Sequence, residues 1–170
     1  MQAEVFRHTP AWVWVLLLFL IYRGIAALWP RRTSVKQTLL LPVIFLLLGL
    51  SSIHTALNGE LYAYLAFCGF LVAGVIAGWL IVPPRLVATY DRSSRKVLRP
   101  GSALTLILLV LAFASKFILS AVVARNPAFA ADASFVLTFG GVSGFVSGLF
   151  WGVVLRQLWP VRNDILSGRD

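Results

Sequence analysis

Residues 139–152 read FGGVSGFVSGLFWG, and this stretch has a glycine at every fourth position: Gly140, Gly144, Gly148 and Gly152. Positions four apart share one face of an α-helix, so these glycines predict a helix with a smooth groove along its length. In lipid, where apolar burial does not drive helices together, such a groove lets a second helix approach closely. The stretch therefore predicts a membrane helix that packs backbone to backbone against a neighbour.

Within 61–82, Gly74 and Gly78 are also four residues apart, and Gly69, Ala73 and Ala77 form a second row of small residues. Two helices are therefore predicted to carry small-residue faces. The spacing leaves two arrangements open, because packing within one protomer and packing between two protomers use the same device.

The composition of the whole chain is that of a membrane protein. Of its 170 residues, 59% are hydrophobic and 12% are charged, which is more apolar than a soluble domain requires. Lys and Arg number 15 against 6 Asp and Glu, and the basic residues cluster in short loops between apolar runs. This distribution is typical of membrane topology and of contact with anionic lipid headgroups. It argues against nucleic-acid binding.

Residues that serve metal or redox chemistry are scarce. Cys68 is the only cysteine and excludes an internal disulfide or a CxxC pair, and the chain has two histidines. Two histidines are too few for an intrachain metal site built mainly on imidazole. No nucleophile stands at a recognisable spacing from a base. The sequence predicts no catalytic residue, metal or cofactor, and an enzyme is the least favoured class.

Five apolar stretches have the length of about 20 residues that crosses a bilayer: 11–29, 38–57, 61–82, 102–124 and 134–159. The first is predicted to be a retained span, because its strong positive charge follows the apolar run, whereas in a signal peptide the charge comes first. The predicted fold class is all-α, with residues 1–170 forming a single transmembrane bundle of five helices.

The charges of the loops predict the orientation of this bundle. The loops after the first and third spans and the carboxyl-terminal tail hold most of the basic residues. By the positive-inside rule, the amino terminus lies outside and the carboxyl terminus in the cytoplasm, and we expect the inner membrane of a bacterium. Within 85–101, two short β-prone runs flank the turn-like residues 91–94, which predicts a small cytoplasmic β-hairpin.

Of all residues in the predicted spans, Lys116 has the highest free-energy cost of placement in a membrane. It lies about eight residues, or roughly 12 Å, inside the outer end of the fourth span, where an ionisable group must be paired, face water or snorkel. It therefore either binds an anion or takes part in a proton-coupled site, or it extends towards the outer headgroups or bonds carbonyls of the helices. Other polar residues belong to the same side by this topology, and they either line one outward-facing pocket with Lys116 or are ordinary interfacial residues. They are His54, Glu60, Tyr62, Tyr64 and Asp132.

Arg23 lies in the inner half of the first span, close to Arg31 and Arg32 in the following loop. Together these three residues predict a site for anionic lipid. The alternatives are snorkelling of Arg23 towards the cytoplasmic headgroups and a buried pair with a residue of another helix.

Three motifs carry a resemblance to a known group of proteins. Residues 9–14 read TPAWVW, 39–42 read LLLP and 99–102 read RPGS. With these motifs the chain resembles an uncharacterised bacterial family of small multi-span membrane proteins, and its layout is more remotely similar to that of CcdC-type proteins associated with cytochrome c maturation. Neither resemblance implies a functional residue here.

The sequence supports two hypotheses for the function. The leading hypothesis is a non-enzymatic packing or accessory protein that forms a homo-oligomer, or joins a larger membrane complex, through its glycine faces. The alternative is a small oligomeric transporter or ligand-binding membrane protein whose polar site surrounds Lys116.

Overall fold

The computed structural model describes residues 18, 21–22, 24–91 and 96–162, except for the side chains of 31–33, 35, 90, 91, 96, 97 and 99. Four long helices dominate this part of the chain: α1 Val35–Ala56, α2 Leu61–Ile81, α3 Ala103–Arg125 and α4 Ala133–Leu158. Each is long and apolar enough to cross a membrane. The chain is a multi-pass, predominantly helical membrane protein.

Helices α1 to α4 correspond to the second to fifth predicted spans. The largest difference at any end is at the start of α1, which was predicted at 38 and begins at Val35. About half of the first predicted span, 11–29, lies outside the described residues, and its described residues 18, 21, 22 and 24–26 are helical.

Side-chain caps define where three of the helices begin. Ser34 and Gln37 form a reciprocal capping box at the start of α1, with N–O distances of 3.3 and 3.4 Å. Ser102 accepts a hydrogen bond from the backbone N–H of Leu104 at the start of α3, and Asp132 accepts one from Phe135 at the start of α4. These caps satisfy N–H groups that a first helical turn leaves without partners.

Three short strands form an antiparallel sheet with the order β1-β3-β2: β1 Arg31–Thr33, β2 Thr89–Asp91 and β3 Lys96–Arg99. Strands β2 and β3 lie in the segment for which a hairpin was predicted, and residues 92–95 between them lie outside the described residues. Strand β1, which the sequence analysis did not predict, pairs with the other edge of β3, so that Arg31 is opposite Arg99. The sheet therefore joins the segments that precede α1 and α3.

The sheet marks one end of the bundle, where α1 and α3 begin and α2 and α4 end; we call this the sheet end. A backbone hydrogen bond of 3.2 Å from Ala88 to the carbonyl of Gln157 ties the segment before β2 to the last turn of α4. The opposite end, formed by residues 57–60 and 126–132, is called the loop end.

Helix α4 is the central element of the fold and packs against α1, α2 and α3. In the most apolar 18-residue segment of α4, 61% is buried, against 17% to 28% in the corresponding segments of the other three helices. Two apolar clusters fill the space around it. The cluster towards the sheet end includes Phe45 and Phe150, whose rings stack at 4.5 Å, and the cluster towards the loop end includes Ile53 and Phe139.

The closest packing is between α2 and α4, and it depends on glycine. A Cβ built on each of the four α4 glycines that are spaced four residues apart would overlap a backbone carbonyl of α2; the pairs are Gly140 with Ala63, Gly144 with Phe67, Gly148 with Leu71 and Gly152 with Val75. Two of the three glycines of α2 meet α4 in the same way; the pairs are Gly74 with Phe145 and Gly78 with Leu149. The two small-residue faces therefore meet each other within one chain.

Candidate functional site

Lys116 lies in the middle of α3, nine residues before the helix ends at Arg125. At 1.5 Å per residue, its Cα is about 14 Å from the loop end of this helix. The side chain is half-buried and extends towards α1 and α4. A lysine is therefore placed near the middle of a helix that is long and apolar enough to cross a membrane.

The ammonium of Lys116 contacts both neighbouring helices. Its Nζ donates hydrogen bonds to Ser143 Oγ of α4 at 3.2 Å and to the backbone carbonyl of Leu48 in α1 at 3.4 Å. It also lies over the ring of Phe139, 5.7 Å from the ring centroid, within the range of a cation–π contact. Because Ser143 is only 2% exposed, the ammonium faces the interior of the bundle and not the lipid.

Ser147 connects α4 to α1 one turn further along. Its Oγ is 2.8 Å from the carbonyl oxygen of Ser143 and 3.2 Å from that of Phe45. Gly49 makes the approach of α1 possible, since a Cβ at this position would lie 3.3 Å from Ser147 Oγ and closer still to the ring of Phe67. We call Lys116, Ser143 and Ser147 the lysine–serine cluster; it lies where α1, α3 and α4 meet.

The charge of Lys116 is not neutralised within the described part of the chain. No described carboxylate forms an ion pair with it, and the described residues contain no group of three His, Cys, Asp or Glu that could hold a metal. An ammonium has three protons to donate, and the described structure supplies two oxygen acceptors. The geometry is that of a positive site surrounded by neutral groups, to which an anion can bind.

The other predicted members of the outer pocket lie at the loop end, and none is among the described contacts of Lys116. Asp132 is exposed and caps α4, while Glu60 is exposed at the start of α2 without a side-chain cap bond. His54 is exposed in the last turn of α1. Its Nδ1 lies over Gly59, which has a φ of +74° and makes the tight turn into α2.

The two tyrosines have different surroundings. Tyr62 is exposed on the first turn of α2, whereas Tyr64 is half-buried and packs against the apolar cluster of the loop end. The structure thus places Lys116 deeper than this group, with Phe139 packed beside it.

The arginines predicted to bind anionic lipid are only partly described. Arg31 and Arg32 belong to β1, at the sheet end, and their side chains lie outside the description. Arg23 lies outside the described residues altogether.

Sequence reasoning did not assign Ser143 or Leu48 to the site of Lys116. Ser143 and Ser147 lie beside the glycines in the stretch 139–152. Their spacing of four residues puts both hydroxyls on one helix face, and that was the available signal. The carbonyl of Leu48 has no signature, because every residue has a carbonyl.

Fold and site together define a multi-pass α-helical membrane protein with a lysine inside its bundle. The chain belongs to DUF6622, a family of unknown function whose model matches residues 1–164. No curated protein and no solved structure matches the chain. The remote resemblance to CcdC-type proteins therefore has no support from these comparisons.

Proposed function

We propose that this protein binds an anionic ligand at Lys116 and belongs to the class of small transporters and ligand-binding membrane proteins. The observation that carries the proposal is the pair of contacts from Lys116 Nζ to Ser143 Oγ and the Leu48 carbonyl. These contacts fix the ammonium inside the bundle, and no described carboxylate neutralises it.

The energetic argument is that an ammonium in the membrane interior costs at least about 2.5 kcal/mol even on the most lenient scale. Snorkelling lowers that cost by bringing the charge to the headgroups, but here Nζ contacts a buried serine. Ser143 accepts from the ammonium, and its own hydroxyl proton can donate to an anion. A small carboxylate or inorganic anion would therefore find a charge and a hydroxyl donor together.

The location and orientation proposed with this function are those of the sequence analysis: the inner membrane of a bacterium, with the sheet end in the cytoplasm. The positive charge of the loops at that end supports this orientation.

A second candidate is a non-enzymatic accessory protein of a larger membrane complex. The glycine packing of α2 on α4 favours it, because it makes two spans into one preformed unit. Since those glycines are in contact within the chain, a partner would bind to another surface. In this candidate Lys116 contributes only to packing.

The two candidates differ in how the purified protein responds to anions. The unfolding temperature would be measured in detergent while chloride, acetate or inorganic phosphate is titrated at constant ionic strength. The oligomeric state would be measured under the same conditions. A ligand that binds the folded state raises the unfolding temperature as its concentration rises. We expect at least one of these anions to raise the unfolding temperature of the wild type but not that of Lys116→Met. Lys36→Met is the control and should respond like the wild type, because Lys36 is exposed. An unchanged response of Lys116→Met, or no response of the wild type, would reject the anion site.

A further inference from the structure

Four side chains at the sheet end form a continuous stack, which we call the arginine–tryptophan ladder: Trp79, Arg156, Trp159 and Arg162. The rings of Trp79 and Trp159 meet edge to face, with centroids 5.4 Å apart. Arg156 Cζ lies 5.3 Å from the centroid of Trp79, and Arg162 Cζ lies 3.8 Å from that of Trp159. Each guanidinium is thus held by a cation–π contact.

The stacking leaves the hydrogen-bond donors of both arginines available. A guanidinium that lies over an indole uses its face, whereas its N–H groups point outward in its plane. Neither Arg156 nor Arg162 makes an ion pair or hydrogen bond within the described part of the chain. A planar guanidinium can donate two parallel N–H bonds to two oxygens of one phosphate. The ladder therefore presents two preoriented groups that can bind phosphate.

The surroundings of the ladder favour an amphiphile over a free anion. Trp159 is 51% exposed, and tryptophans at the ends of membrane helices lie at the depth of the headgroups. Immediately beside the ladder in sequence, Leu80 and Leu155 are exposed on α2 and α4. Arginines that can bind phosphate therefore lie beside exposed apolar side chains. A phospholipid needs both, the first for its headgroup and the second for its acyl chains.

The charge of the sheet end specifies the kind of lipid. Arg85 and Lys36 are exposed at this end, and strands β1 and β3 bring four further basic residues of the chain to it. Basic clusters beside membrane helices attract anionic lipids. We propose that the arginine–tryptophan ladder binds the headgroup of an anionic phospholipid, independently of the Lys116 site.

The test is native mass spectrometry of the detergent-solubilised protein titrated with phosphatidylglycerol or with phosphatidylcholine of the same chain lengths. We expect the wild type to prefer phosphatidylglycerol. Arg156→Gln and Arg162→Gln should each reduce that preference about fivefold, as expected for one interfacial arginine. Arg125→Gln is the matched control, because Arg125 is exposed at the loop end and should keep the wild-type preference.

Two further arms separate the ladder from simpler explanations. Arg162→Lys retains the charge but loses the planar fork, so it should lose part of the preference although its exposed position leaves folding intact. Millimolar inorganic phosphate should not displace the lipid. An equal loss in Arg125→Gln, full preference in the glutamine variants or in Arg162→Lys, or displacement by phosphate would each overturn the proposal.

Discussion

At the scale of single residues, Lys116 illustrates how the membrane interior limits the roles of a charge. A buried ammonium with a carboxylate partner can be explained by the pair alone. Lys116 has a hydroxyl and a carbonyl as its described partners, which solvate the charge only in part. The residue is therefore expected to lower stability in exchange for binding, as functional residues often do.

Lys116→Met tests this view through stability. Replacing a buried charge by an apolar side chain of similar length is often neutral or stabilising, so we expect an unchanged or higher unfolding temperature in detergent. A fall of several degrees would instead assign Lys116 to packing, as the accessory-protein candidate requires.

Ser143→Ala tests whether the lysine depends on its hydroxyl partner. A hydrogen bond to a charged group contributes about 1.5–3 kcal/mol, so the variant should unfold at a lower temperature and respond less to anions. Thr138→Ala is the control on the same helix, since the Thr138 hydroxyl is exposed and bonds only to the carbonyl of Ser134. Equal behaviour of the two variants would contradict a role for Ser143 at the site.

At the scale of elements, the contact between α2 and α4 depends on backbone shape. Four glycines of α4 and two of α2 face carbonyls of the other helix, so the two backbones are closer at these positions than any side chain would allow. In lipid, dispersion between closely packed backbones is a main source of helix association. The pair is therefore expected to be sensitive to single methyl groups.

Gly148→Ala should lower the stability of the folded protein by about 1–3 kcal/mol, the usual cost of an overpacked site. The physical reason is that the added methyl would overlap the carbonyl of Leu71 and force the helices apart. Gly69→Ala is the control on α2, because a Cβ there meets nothing within 4 Å and alanine is the better helix former. Unfolding in detergent would be compared, along with oligomeric state; a loss of oligomer without a loss of stability in Gly148→Ala would contradict packing within the chain.

At the scale of the whole molecule, the antiparallel order of the helices gathers the basic segments at one end. The exposed Lys36, Arg85 and Arg162 lie at the sheet end, whereas the loop end has Glu60 and Asp132 beside Arg125. This asymmetry is the signal that the positive-inside rule reads.

The orientation can be tested with single cysteines in a Cys68→Ala background. Asn58→Cys and Ala128→Cys lie at the loop end and should react with a membrane-impermeant maleimide in intact cells. Arg85→Cys lies at the sheet end and should react only after the membrane is permeabilised. The reverse pattern would show that the sheet end faces outward.

The sequence by itself determined the number and bounds of the described membrane helices and the presence of closely packed glycine faces. These properties depend on local features, namely the length of an apolar run, a capping serine or aspartate, and a spacing of four residues. The partner of the α4 glycines was left open, because small-residue faces look alike whether they meet in one chain or two. Only the tertiary structure decided that α2 covers them.

For the candidate site, too, the sequence determined one part and the tertiary structure decided the rest. The cost of a charge in an apolar run identified Lys116 without any structure. Its contacts with Ser143 and the Leu48 carbonyl, and the separate position of His54, Glu60 and Asp132, depend on how far each helix is rotated and displaced along its neighbours. Rotation and displacement follow from the fit of side chains across three helices that are distant in sequence, and a local pattern does not contain that fit.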